Sequence, residues 1–295
     1  MRPYFTIIGN LTLDIIDESR TVKPGGPGLY AGLAALHLGY PVRIVSSIGM
    51  DYPMKFLEKL KNLGIDLRIK IVQRMTTTFK LIYEGDKRKV ILLESGPEIP
   101  YELIEDIDEK FIALVSPVYK EVSLDFIKKL KKKTILLGID FQGFVRKARS
   151  DGVVEYTWDD VCDEVSRYAD FIHIEESEAQ GLNTNSLRIA LYLTDRCKCP
   201  VSVTMGERGS YLAFLDEVYY VPVPRVYSGN PTGVGDIFTA IFLLRYYETD
   251  DFIEASKWAT IAAGLKVLRS YSGNWFSRSE VELLSGNVTV ERVLI

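Results

Sequence analysis

Histidine and cysteine are scarce in this chain of 295 residues: two histidines, His37 and His173, and three cysteines, Cys162, Cys197 and Cys199. So few imidazoles argue against a histidine-rich metal centre. An odd, low thiol count argues against a disulfide framework. The C-x-C pair Cys197/Cys199 has no second Cys/His pair nearby to complete a zinc site, so these read as ordinary thiols. No apolar run approaches the roughly 18 residues of a membrane span. The apolar part of MRPYFTIIGN is too short for a signal peptide and reads as a first strand. We therefore expect a cytoplasmic protein with no membrane partner. A basic excess is also missing: the net charge is −4, which speaks against a nucleic-acid partner. The lysine run Lys128 to Lys133 falls at the end of a predicted helix, where the dipole favours cations, and reads as a solvated face. The G-x-x-x-x-G-K-[ST] phosphate loop is absent. GGPGLYAG has the wrong spacing for a dinucleotide fingerprint, and no acid follows at the ribose position.

What the chain does have is alternation. Short β-branched runs (YFTIIG, VRIVSSIG, FIALVS, TILLGID, FIHI, VSVTMG) are separated by helical stretches such as PMKFLEKLKNLG, SLDFIKKLKKK and SLRIALYLTDRC. This spacing predicts an α/β fold, a mostly parallel sheet with helices on both faces. Two stretches break the pattern. LDIIDESRTV reads as a hairpin, and TTTFKLIYEGDKRKVILLE as two strands around a turn at Glu84 to Arg88. Joined, they make a small β lid from segments 13–23 and 65–95, over a body of 1–12, 24–64 and 96–295. A lid's open strand edges could pair to form a homodimer.

One segment concentrates the chemistry. NPTGVGDIFTAIFLL, Asn230 to Leu244, joins a glycine-punctuated turn to a helix apolar on nearly every face. Such a helix is buried, and its first N–H groups lack helical partners. With Gly233 and Gly235 opening the turn, these amides form an anion site. Asp236 sits beside it, held ionised by the dipole and pulled the other way by burial. It is either a helix cap or a base that takes a proton from a hydroxyl while the amides hold developing negative charge.

TGVGD resembles the G-A-G-D signature of the ribokinase, or PfkB, family of carbohydrate kinases. Four further segments resemble that family in order: GNLTLDII, PGGPGLYAGLAALHLG, HIEESEAQGL and VTMGERGSYL. The likeness extends from about Ile7 to Asn274. It implies a parallel sheet with a β lid, and transfer of the ATP γ-phosphoryl group to a substrate hydroxyl with Mg²⁺. It implies Asp236 as base and Gly233, Val234 and Gly235 as the anion hole. Substrate hydroxyls would meet Asp14, Gly25 and Gly26. Donor contacts would come from Thr204, Gly206, Gly209, Thr232, Gly233, Gly235 and Asn274. Glu178 would organise the metal, largely through water.

The chain departs from the family where Tyr30 replaces the usual Asn of the di-glycine helix, which should alter the acceptor pocket. Glu175 replaces the Asn of N-x-x-E, and Asn230–Pro231 replaces an acidic start. GIDFQGFVR and GGPGLY resemble the archaeal branch similar to myo-inositol kinases. There Gln142 is a candidate hydroxyl partner or a satisfied buried amide, and Arg146 a candidate phosphate or substrate ligand. The expected acceptor is a sugar or cyclitol, with myo-inositol the leading candidate. A nucleoside stacked on Phe79 or Tyr83 remains open, as does a catalytically silent nucleotide-binding regulator.

Overall fold

The computed structural model describes residues 2–16, 21–84, 87–224, 229–269 and 275–294. Asn274 and the tips of both lid hairpins lie outside these residues. In chain order the strands are β1 Phe5–Ile8, β2 Thr12–Ile16, β3 Thr21–Gly25, β4 Val42–Gly49, β5 Asp66–Val72, β6 Thr78–Glu84, β7 Lys87–Glu94 and β8 Phe111–Val115. They continue as β9 Thr134–Asp140, β10 Arg146–Ala148, β11 Val154–Tyr156, β12 Phe171–Glu175, β13 Val201–Thr204, β14 Ser210–Phe214, β15 Glu217–Val221 and β16 Glu291–Val293.

Ten strands form one sheet in the order β16-β15-β14-β13-β12-β9-β8-β1-β4-β5. From β13 to β5 every pairing is parallel, while β14, β15 and β16 add on antiparallel. The central strands FTII and FIALV are buried at every position. That is the signature of parallel strands covered by helices on both faces. One cover is the helix Val234–Thr249, buried without interruption from Asp236 to Leu244. It packs against the helices Phe252–Leu268 and Pro27–His37, and Phe242 stacks on Phe171 of β12 at 3.7 Å. No helix among the described residues is long and apolar enough to cross a membrane.

The lid is a separate four-stranded sheet, β3-β2-β6-β7. β2 runs parallel to β6, so a segment near the N-terminus pairs with one more than sixty residues on (Leu13 with Thr78). The expected lid segment 65–95 starts too early. β5 pairs with β4 over seven residues and is the edge of the large sheet. Ladder continuity across the long β4 outweighs its half-exposed pattern. An unforeseen ribbon, β10–β11, braces the lid: Ile91 bridges to Val153, and the Leu92 N–H donates to Gly152 O at 2.8 Å. Val154 then packs with Phe79, Leu81, Val90 and Val118 in one apolar cluster. The lid is thereby seated on the body above the carboxyl ends of β1, β8 and β9, where open α/β sheets bind ligands.

Candidate active site

Asp236 is buried in the first turn of its helix. Its Oδ1 accepts from Gln142 Nε2 at 3.1 Å and from Ser116 Oγ at 3.4 Å. Oδ2 has no partner among the described residues. Burial, then the nearby Asp140 carboxylate, push its pKa up to about 7, against Arg146, the Gln142 hydrogen bond and His173. Of the two opposing effects in the sequence, burial prevails over the helix terminus. A carboxyl poised near neutrality suits a general base.

Gln142 opens the short helical turn Gln142–Val145 after β9, and Arg146 follows it directly as the first residue of β10. The Gln142 N–H donates to Asp140 Oδ1 at 2.9 Å, closing a turn that aims the amide at Asp236. Arg146 is buried. It donates to Val118 O and to Gln142 Oε1, both at 3.0 Å, and pairs with Glu178 at 3.5 Å. Its guanidinium lies 5.4 Å from the Phe79 ring centre, and its Nε has no hydrogen-bond partner among the described residues.

On the lid side, Asp14 of β2 is buried and accepts from Thr12 Oγ1 at 2.9 Å. Asp14, Gly26, Tyr30, Gln142, Arg146 and Asp236 line one cavity with Thr232, Gly233, Phe79 and Leu81. Gly25 is placed differently from expectation. It backs the Asp14 carboxylate, whose Oδ2 would be 2.1 Å from an added Cβ. Its absent side chain makes room for Asp14 and leaves the cavity wall to Gly26.

The turn before the helix holds Gly233 at φ +78°, in the left-handed region. The Val234 N–H, expected in the anion hole, instead donates to Pro231 O at 3.2 Å, because the chain closes a tight turn there. The N–H groups of Gly233, Gly235 and Asp236 have no backbone partner among the described residues. Thr232 is held by its N–H donating to Asn230 Oδ1 at 2.9 Å. Further along the sheet, β13 ends at Thr204, and Gly206 and Gly209 bound the exposed turn to β14.

Glu178 lies away from the cavity. Burial pushes its pKa up while Arg146 pulls it down, and its Oε2 accepts from the Glu175 N–H at 3.3 Å. No group of three or more His, Cys, Asp or Glu side chains among the described residues could hold a metal ion. The donor set fits Mg²⁺ only if water and phosphate oxygens supply most ligands, as that ion commonly requires.

Three positioning side chains escaped the sequence reading. Asp140 and His173 form a buried pair at 2.7 Å. Glu121, also buried, accepts from the N–H groups of Asn10, Val118 and Tyr119 at 2.7–2.8 Å, tying the loops after β1 and β8 together. Glu121 carries no local motif, whereas Asp140 stands inside the GIDFQGFVR segment, where Gln142 and Arg146 drew the reading instead. His173 could have been flagged as the polar residue of an otherwise apolar strand, FIHI. Cys197 and Cys199 are free thiols whose sulfurs lie 2.6 Å apart, before the start of β13 and so at the end remote from Thr204.

Residues 12–277 match the model of the pfkB family of carbohydrate kinases. The chain is 26% identical to a ribokinase of Bacillus subtilis over 284 residues, covering 92% of this chain and 90% of that protein. It is 25% identical to a cytidine kinase of Thermococcus kodakarensis over 253 residues, 81% and 87% of the two chains. In structure it resembles a pyrophosphate-dependent kinase in the ribokinase family, complexed with a pyrophosphate analog and myo-inositol. The TM-score is 0.80 at 21% identity, over 95% of this chain and 99% of that one. A ribokinase from Thermotoga maritima superposes with a TM-score of 0.75 at 21% identity, over 96% and 99%. With the buried Asp236 at the mouth of an unpaired helix terminus and a β lid above it, the chain belongs to the pfkB family of carbohydrate kinases, phosphotransferases with an alcohol group as acceptor.

Proposed function

We propose that the protein transfers the γ-phosphoryl group of ATP to a hydroxyl of a small sugar or cyclitol, with myo-inositol the leading acceptor. The observation that carries this is Asp236. A carboxyl tuned to about pH 7 lines a cavity beside free backbone amides, with Oδ2 available. The acceptor lies under the lid, its hydroxyls against Asp14 and the Gly26 backbone. Arg146 lines the same cavity and brings its positive charge to the acceptor side. Asp236 Oδ2 takes the proton of the attacking hydroxyl while Gln142 and Ser116 hold Oδ1 in place. The Gly233 and Gly235 amides hold negative charge on the transferring group. When bound, MgATP supplies the phosphoryl group and the metal neutralises its oxygens, with Thr232, Gly233, Thr204 and the Gly206–Gly209 turn as the donor side. The apolar lid wall of Phe79, Leu81 and Val90 excludes water that would compete as acceptor.

A polyol is favoured over a nucleoside by Phe79. The Arg146 guanidinium lies over its ring, so that face is taken and not offered to a base. The cytidine kinase relative and the pyrophosphate-dependent neighbour set the other arms of the test. The experiment is a matrix of donors (ATP, ADP, pyrophosphate) against acceptors (myo-inositol, ribose, fructose, cytidine), with Asp236→Asn as control. Turnover of myo-inositol or a sugar with ATP, lost in the control, supports the proposal. Turnover with pyrophosphate alone replaces the donor. Turnover of cytidine alone replaces the acceptor.

A further inference from the structure

His173 has no part in the steps above, yet it lies buried between the two halves of the site. Its ring passes under the anion hole: a Cβ on Gly235 would stand 3.3 Å from His173 Cε1. Nδ1 is 2.7 Å from Asp140 Oδ2, and Nε2 is 3.1 Å from Thr204 Oγ1. Thr204 is half-buried at the end of β13, where the chain opens into the exposed Gly206–Gly209 turn. The same Asp140 accepts from the Gln142 N–H, and Gln142 reaches Asp236. A continuous chain of contacts therefore joins the base to a hydroxyl on the donor side.

The neighbouring residues of β12, Ile172 and Ile174, are apolar and buried. A buried imidazole in such a strand is costly unless both nitrogens are met. Asp140 meets one. The Thr204 hydroxyl on the rim meets the other, which ties the orientation of that hydroxyl to the ring. Threonine has one hydroxyl hydrogen. If Nε2–H donates to Oγ1, that hydrogen is free to point away from the ring, toward the donor side. The charged groups around the ring all favour this form. Asp140 comes from β9, Glu175 from its own strand, Glu178 from the turn that follows, and Asp236 from the buried helix. Burial opposes the charged ring, but these acids together hold its pKa above the usual histidine value.

We propose that His173 is a positioning residue for the phosphoryl donor: through Nε2 it holds the Thr204 hydroxyl with its hydrogen turned toward a donor phosphate seated beside the Gly235 amide. The inference rests on the kinase reading and deepens it. The step is binding and orientation only, with no covalent change at the ring.

Asparagine and glutamine separate the two nitrogens, because an Asn amide reaches the place of Nδ1 and a Gln amide that of Nε2. His173→Asn, His173→Gln, Thr204→Val and His173→Asn/Thr204→Val are compared by steady-state kinetics with donor and acceptor varied in turn. Binding of a non-hydrolysable donor analogue is measured by calorimetry. We expect His173→Asn and Thr204→Val each to raise the donor KM about tenfold, the loss of one hydrogen bond to a charged group. The double variant should be no worse than either single one, and His173→Gln should recover most of the donor KM. The acceptor KM should stay within about twofold throughout. Additive effects, an equal shift in acceptor KM, or a His173→Asn enzyme with wild-type donor KM overturns the role. A wild-type protein that neither turns over nor binds any donor overturns the kinase reading and this inference with it. Wild-type turnover with a silent His173→Asn removes this inference alone.

Discussion

Tyr30 lies flat against Gly233: a Cβ placed on Gly233 would fall 2.2 Å from the tyrosine ring. The aromatic that replaces the family's usual asparagine thus reaches across the cavity to the turn that opens the buried helix. Its hydroxyphenyl group forms part of the same wall as Asp236 and Arg146. This contact also makes Gly233 the least replaceable residue of the turn.

Gly233→Ala should therefore both strain and crowd the turn. The left-handed φ costs about 1–2 kcal/mol for an alanine, and overpacking adds about 1–3 kcal/mol. The expected outcome is a lower Tm and at least a tenfold fall in kcat/KM. Adding Tyr30→Ala should recover part of the stability but not the donor KM. Thermal unfolding and kinetics on the two proteins check this, and a fully stable, fully active Gly233→Ala contradicts it.

Because burial and Asp140 push Asp236 up to about 7, kcat/KM should rise with pH through neutrality and level off above it. The base acts only when ionised. Asp236→Asn should cut kcat by about 10²–10⁴-fold, the usual worth of a general base, and abolish the rising limb. An unchanged limb in that variant assigns the titration to another group.

The same shift has a stability consequence with the opposite sense. A carboxyl whose folded pKa is raised binds its proton more tightly folded than unfolded. Its contribution is fully present below the unfolded pKa and lost as pH rises through the folded value. Asp236 thus penalises folding above neutrality, by at most roughly 4 kcal/mol for the rise from 3.8 to about 7. Asp236→Asn should be the more stable protein at about pH 9 and close to wild type at about pH 4. Urea denaturation at both pH values decides it.

Arg146 holds three groups at once: Val118 O, Gln142 Oε1 and the buried Glu178 carboxylate. Arg146→Met strands that carboxylate and should cost about 3–5 kcal/mol. Adding Glu178→Gln should return much of the stability without returning activity, since the guanidinium is still missing from the cavity. If the double variant is no more stable than Arg146→Met, the ion pair is not what Arg146 supports.

The lid prediction concerns Phe79, buried between Arg146 and the cluster of Leu81, Val90, Val118 and Val154. Phe79→Ala should loosen the lid's seat. We expect the acceptor KM to rise about tenfold and donor hydrolysis without acceptor to increase, because water reaches the transferring group. Coupled assays with and without acceptor measure both quantities. Unaltered hydrolysis would mean that the lid does not exclude water.

The large, mostly parallel sheet and the small second sheet were largely legible in the sequence because their signals are local. Strands β4 and β9 coincide with VRIVSSIG and TILLGID, and the helix Ser186–Cys197 with SLRIALYLTDRC. Both lid hairpins announce themselves as strand pairs around polar turns. The glycines before Asp236 mark a helix terminus without further context. The ribbon β10–β11 was not legible, since its strands are three residues each and gain their meaning from Gly152 and Val153 meeting the lid. The place of β5 was equally hidden, because a half-exposed strand suits a lid and a sheet edge alike.

The periodicity of apolar residues determined the parallel sheet, the buried helix and the position of Asp236 at its start. These depend on spacing within a few residues, where the backbone geometry of helix and strand is fixed. The electrostatics of the site were decided only by the tertiary structure. Asp140 meets His173 across 33 residues, Gln142 meets Asp236 across 94, and Glu121 meets Asn10 across 111. A carboxyl's proton affinity depends on its burial and on the charges within a few ångströms of it. The chain brings those charges together only by folding.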